Sequence, residues 1–332
     1  MKHRLRYLAI MALILSLTVL SACGSGSSQP QKIRLFEVTH SIFYAPQYVA
    51  LTQGFFEEEG LEVELTNANG GDKAMTALLS GNAEMILMGT EATIYVKNQG
   101  ATDPAINFAQ LTQTDGSFLV SREPIENFSW DMLKGKTLIG QRKGGMPQMV
   151  SEYVQVKNGI TPFKDVEIIQ NIDFANLGSA FASGTGDFVQ LFEPIASTLE
   201  LEGKGHVVAS FGADSGKLPY TVYITRQSFI NENPEIVQKF TNAVYKAQQW
   251  VATHSIEEIA DAISPHFAEM NRDTLLKVLD RYKSQGSWAT DPILDEEEYA
   301  NLEAVMENAG ELQQKVNYSD IVNTEFAKKA ME

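Results

Sequence analysis

The strongest constraint on this chain is a pair of apolar–polar alternations with a glycine-punctuated helix between them. Ile33-Arg34-Leu35-Phe36-Glu37-Val38 has the period of a strand with one buried face. Thr39–Tyr44 follows as a connection. Pro46 suits a first helical turn, where no backbone donor is needed. Tyr48, Leu51 and Phe55 recur at helical spacing, and Gly60 can end that helix with a positive φ. Leu61–Leu65 alternates again as a second strand, and Gly70-Gly71-Asp72 opens a helix over Lys73–Ser80. A strand–helix–strand–helix unit of this kind predicts parallel strands and a right-handed crossover. Ligands of such sheets sit beyond the carboxyl ends of the strands, here Thr39–Tyr44 and Asn69–Asp72.

The 332 residues suffice for about two ordinary domains. Apolar content of 44% with 20% charged residues predicts a packed body rather than disorder. Cys23 is the single cysteine, which excludes an intramolecular disulfide, a multi-thiolate metal site and an iron–sulfur cluster. Before it come a basic lead (Lys2, Arg4, Arg6) and an apolar run, Leu8–Leu20. That run of 13 residues is shorter than the roughly 20 a spanning helix needs. Leu20-Ser21-Ala22-Cys23 resembles the cleavage box of bacterial lipoproteins, in which the cysteine receives lipid. The resemblance implies a leader over 1–22, a lipidated Cys23 and a Gly/Ser-rich tether over 23–31. The alternatives are a leader cleaved without lipidation and an uncleaved anchor. Removing 1–22 leaves 23 basic and 42 acidic residues, a formal charge of −19. Such a body repels nucleic acid and anionic lipid, so the expected membrane link is the lipid alone.

Further along, Met85–Met88, Ala105–Thr112 and Ser117–Arg122 read as strands and Ala92–Asn98 as a helix. Thr137–Gly140, Asp165–Gln170, Val189–Phe192 and His206–Phe211 are further strands, with helices over Met146–Asn158 and Leu177–Ser183. Tyr220–Thr225 reads as a strand returning to the first half, and from Asn233 the chain is mostly helical. The second half restates the strand–glycine–helix logic of the first. The expected organisation is α/β with two lobes: lobe 1 over 32–121, lobe 2 over 122–218, and a return with C-terminal helices over 219–332. The first crossing is placed near Leu119–Glu123.

Tyr44-Ala45-Pro46-Gln47-Tyr48-Val49-Ala50, followed by Gln53-Gly54-Phe55-Phe56 and Gly60-Leu61-Glu62-Val63-Glu64, resembles a family of bacterial solute-binding proteins. Its members take up sulfonate, taurine, nitrate and thiamine-pyrimidine precursors, and it is related to fungal pyrimidine-synthesis enzymes. Ser80–Glu84, Leu133-Lys134-Gly135-Lys136 and Glu193-Pro194 echo further stretches of the family pattern. The resemblance implies a type II periplasmic-binding-protein fold, each lobe a mostly parallel sheet flanked by helices. It implies a monomeric lipoprotein on the extracytoplasmic face of the membrane, of the Gram-positive type. Its partners would be a small molecule and an ABC permease with its ATPase. No cofactor or metal is implied.

Strand ends supply the candidate ligand contacts. The first lobe offers His40, Ser41, Phe43, Tyr44, Gly71, Asp72, Gly89 and Thr90; the second offers Lys143, Gly144, Gly145, Asp173, Asn176 and Glu193, with Tyr220 near the return. Helix N-termini expose backbone donors, and aromatic rings can stack a flat ligand. Each has a plainer alternative: tight turns for the glycines, helix capping for Glu193 and Asp72, core packing for Phe43 or Tyr44, and a structural helix start for Glu91. The paired glycines match neither a phosphate loop nor a dinucleotide fingerprint. Five scattered histidines show no metal-ligand spacing, and no Gly-x-Ser-x-Gly elbow is present. The fungal enzyme branch depends on a cysteine-rich motif, which this chain lacks, so binding without catalysis is expected. Acidic candidates are as numerous as basic ones, which leans the ligand toward a pyrimidine or other heterocycle. The alternative is an alkanesulfonate, taurine or nitrate-type anion.

Overall fold

The computed structural model describes residues 29–332. The expected leader, Cys23 and most of the tether lie outside the described residues. Among the described residues, ten strands form two sheets of five. They are β1 (Gln31–Glu37), β2 (Leu61–Asn67), β3 (Met85–Gly89), β4 (Ala105–Thr112), β5 (Ser117–Ser121), β6 (Thr137–Ile139), β7 (Glu167–Ile169), β8 (Phe188–Phe192), β9 (His206–Ser210) and β10 (Thr221–Arg226). The first sheet runs β2-β1-β3-β10-β4 and the second β7-β6-β8-β5-β9. In each, three strands are parallel, and the strand arriving from the other lobe inserts antiparallel beside them. The two lobes therefore share one topology, which fits the repeated strand–glycine–helix logic.

Local chemistry accounts for the opening unit. Along β1, Ile33, Leu35 and Glu37 face inward and are buried. The expected single helix after it is two: Ala45–Thr52 and Phe55–Glu58, divided at Gly54 with φ 74°. A residue in the left-handed region cannot continue a right-handed helix, and glycine adopts it without a Cβ clash. Gly60 ends the second piece at φ 76°, as its position predicts.

The chain leaves the first sheet after Thr112 and enters the second at Ser117. The crossing is thus Gln113–Gly116, ahead of the expected Leu119–Glu123. β5 pairs with β8 and β9, so Ser117–Ser121 belongs to the second lobe rather than to a first lobe ending at 121. The reason is burial on both faces: Ser117-Phe118-Leu119-Val120-Ser121 is fully buried and carries no alternation to mark its sheet. Gly116 allows the crossing to pass the first lobe closely, since a Cβ there would lie 2.6 Å from the Phe43 ring. The C-terminal helices do not serve lobe 1 alone. Arg272–Gln285 packs on Ile195–Leu201 of the second lobe, and Glu296–Asn308 on Met146–Lys157.

Candidate functional site

The carboxyl ends of β1, β3, β6 and β8 meet at a seam between the lobes, beside both crossings. Ser41 Oγ donates to the Glu193 carbonyl at 2.9 Å across that seam. The Tyr282 hydroxyl donates to the Gly116 carbonyl at 3.0 Å and accepts from the Glu193 N–H at 3.3 Å. Phe43 sits at the centre of an aromatic cluster. Its ring centroid lies 5.7 Å from Tyr44, 6.0 Å from Phe192, 5.7 Å from Tyr220 and 5.2 Å from Tyr282. These separations suit edge and tilted packing of aromatic rings.

Polar atoms are set among these rings. Ser117 donates to Asp115 through its N–H at 2.6 Å and through its hydroxyl. Gln190 Nε2 donates to Ser117 Oγ at 2.8 Å and to the Pro147 carbonyl at 2.9 Å. The Tyr220 hydroxyl faces the Asp115 carboxyl. The Met146 N–H faces the Glu91 carboxyl. Along this ring of groups, Glu91 Oε2, Asp115 Oδ2, Gln190 Oε1 and the Tyr220 hydroxyl are buried and find no hydrogen-bond partner among the described residues. A buried polar atom without a partner forfeits about 1–3 kcal/mol, so several on one seam call for an explanation. Burial pushes the Glu91 carboxyl up to about 7, against the pull of its own backbone N–H and that of Met146. Burial likewise pushes Asp115 up to about 6, opposed by the Ser117 N–H and hydroxyl and, more distantly, by the Tyr220 hydroxyl that faces it. Three of the four atoms are acceptors, so the arrangement leaves acceptor capacity unused on the seam.

The candidate contacts divide. Ser41, Phe43, Tyr44 and Tyr220 line the seam, all buried. Thr90 is there too, its hydroxyl donating to the Pro219 carbonyl at 2.6 Å. Gly144 accepts the Tyr95 hydroxyl at 3.2 Å, and Gly145 leads the helix Met146–Lys157. Gly89 makes room for the Glu91 carboxyl, which a Cβ at 89 would meet at 2.0 Å.

The others point elsewhere. His40 turns to Glu37 Oε1 at 2.9 Å and the His266 carbonyl at 2.8 Å, and stacks on Phe267. That pairing helps satisfy the buried Glu37, which also accepts from Gln47 and Tyr48 at 2.8 Å each. Gly71 rests on Met88, with 3.1 Å to a Cβ placed there, and Asp72 is an exposed first-turn residue. Lys143 is exposed and pairs with Glu311 at 3.4 Å. Asp173 and Asn176 are exposed, Asp173 lying 4.0 Å from Arg142. Glu193 brings its backbone to the seam, but its carboxylate turns away. It accepts from the Ser197 N–H at 2.8 Å, the Ser197 hydroxyl at 2.9 Å and Arg281 at 2.6 Å. Those donors use its lone pairs, as the helix-capping alternative anticipates. The seam also holds Glu91, Asp115, Gln190, Tyr95 and Tyr282, which strand ends alone do not single out. The Asp115-Gly116 pair between two strands is the one local signal that could have marked the crossing.

Two like-built α/β lobes, each a five-stranded sheet flanked by helices and joined by two crossings, are the periplasmic-binding-protein type II fold. The alkanesulfonate-binding protein SsuA from Xanthomonas axonopodis pv. citri has this fold and superposes with a TM-score of 0.71 at 15% identity, covering 90% of this chain and 99% of that one. YtlA of Bacillus subtilis (strain 168), named as a proposed binding protein, is 53% identical over 321 residues, 97% of this chain and 96% of its own. The formylaminopyrimidine-binding protein of Halalkalibacterium halodurans is 22% identical over 300 residues, 83% of this chain and 86% of its own. The family described as NMT1/THI5 like matches residues 42–257, and the chain belongs to that family.

Proposed function

We propose that this protein captures a small heterocyclic molecule between its lobes and hands it to the permease and ATPase of an ABC importer. The observation that carries this reading is the set of buried acceptors without partners, Glu91, Asp115 and Gln190, placed against Phe43, Tyr44 and Tyr220. A pyrimidine carrying an amino group offers a flat face to the rings and N–H donors to the acceptors. The formylaminopyrimidine-binding relative supports that ligand class. Closure of the seam excludes water and strengthens each hydrogen bond within it. The ligand shifts the open–closed balance by its preference for the closed state, and no bond is made or broken. Residues 1–22 act as a leader, and lipid on Cys23 holds the body at the outer face of the cell membrane. The basic lead, the short apolar run and the lone cysteine support this.

Calorimetric titration of the body lacking residues 1–23 tests the ligand class, with formylaminopyrimidine and 4-aminopyrimidine set against alkanesulfonates and nitrate. The expected result is aminopyrimidine binding, with the ligand recovered intact. At a hundred times its Kd the ligand should stabilise the fold by about 2.7 kcal/mol. Binding of sulfonate or nitrate with no response to either pyrimidine overturns the reading, and turnover of the ligand overturns its non-catalytic part.

A further inference from the structure

The helix Met146–Lys157 begins at the seam with Gly145 before it and no side-chain cap. Pro147 has no N–H, so the Met146 N–H is the leading amide at this end, where an anion would be favoured. Two residues one turn apart on the helix Glu91–Asn98 reach that end from across the seam. Tyr95 donates to the Gly144 carbonyl at 3.2 Å, and the Glu91 carboxyl lies before the Met146 N–H. The carboxyl is folded back over Gly89, where a Cβ would stand 2.0 Å from Oε2 and 2.6 Å from Oε1. Glu91 is 7% exposed, and its Oε2 has no partner among the described residues. The first lobe thus brings its own carboxyl, negative above about pH 7, to the place an anionic ligand would take.

We infer that Glu91 determines specificity: seated on Gly89, its carboxyl fills the anion-accepting end of helix Met146–Lys157 and turns the cleft toward ligands that donate hydrogen bonds. This deepens the ligand reading above and rests on it for the location of the cleft. Lys143, the basic side chain next to this turn, is drawn off to Glu311 and does not offset the charge. A sulfonate entering the seam would meet a carboxyl at the helix end, whereas a ring N–H would meet an acceptor.

The test is titration of methanesulfonate, and separately of 4-aminopyrimidine, into the body lacking residues 1–23 at pH 9, where the Glu91 carboxyl is ionised, and at constant ionic strength. Wild type is compared with Glu91→Ala and Glu91→Gln. Glu91→Gln keeps the side-chain shape, so it preserves the comparison where Glu91→Ala fails to fold. Removal of a close like charge should raise methanesulfonate affinity on the order of 100-fold in Glu91→Ala, and less in Glu91→Gln, whose carbonyl still faces the Met146 N–H. Both variants should lose aminopyrimidine affinity. No gain in methanesulfonate affinity in any folded variant overturns the inference, as does micromolar methanesulfonate binding by wild type. Aminopyrimidine binding by wild type without a gain in the variants sinks this inference alone. A gain in the variants while wild type ignores aminopyrimidine supports it and sinks the ligand class instead.

Discussion

Replacing Arg281 by methionine probes how the C-terminal helices hold the second lobe. Arg281 bonds Glu193 at 2.6 Å through one guanidinium nitrogen and Glu200 at 2.6 Å through another. The Glu193 side chain is fully buried, whereas Glu200 is partly exposed and keeps Lys277 at 2.8 Å. The loss therefore falls on Glu193. Removing one partner of a buried ion pair costs about 3–5 kcal/mol, because the remaining charge is left uncompensated. Ser197 still offers two donors to the carboxylate, which places Arg281→Met near the lower figure, about 3 kcal/mol. Glu193→Gln in the same chain removes the stranded charge, so the double variant should recover much of that loss. Urea unfolding followed by circular dichroism and by tryptophan fluorescence measures both variants, with coincident transitions as the check on cooperativity. A loss under about 1 kcal/mol in Arg281→Met would falsify the argument, as would a double variant no more stable than the single.

Three further outcomes are expected. The Glu91 carboxyl has a folded pKa of about 7 against an ordinary 4.5, so the folded chain holds a proton there that the unfolded chain releases between those values. Stability from this group is full below about 4.5 and is lost as pH rises through 7, by about 3 kcal/mol. Glu91→Gln should remove that slope, and parallel melting curves against pH for the two proteins would refute it. Gly116→Ala would press a methyl group within 2.6 Å of the Phe43 ring, and should destabilise by about 1–3 kcal/mol while weakening ligand binding, read by unfolding and calorimetry. Lys143→Ala and Asp173→Ala change exposed surface pairs, so each should shift stability by less than about 1 kcal/mol and leave the ligand Kd unchanged; a tenfold weaker Kd would return either residue to the site.

The opening strand, its helices and the parallel unit they form were legible because they rest on short-range periods. Alternation over Ile33–Val38 selects a strand, Pro46 starts a helix, and Gly60 ends one at a positive φ. Strand ends also pointed to Ser41, Phe43, Tyr44, Thr90 and Tyr220, and topology alone carries those positions to the seam. What a side chain does once there is a different question, answered by residues far along the chain. Glu193 stands at a strand end, yet Arg281, 88 positions later, takes its carboxylate. His40 is claimed by the carbonyl of His266, 226 positions on. Conversely, Asp115 looks like a turn residue and Glu91 like a helix start until two lobes bury them beside Tyr220 and Met146. Local periodicity dictates which face of a strand or helix turns inward, so the sequence alone determined the elements and the lobed class. Burial and pairing depend on which distant surfaces meet, so only the tertiary structure decided which acids are capped and which are buried without a partner.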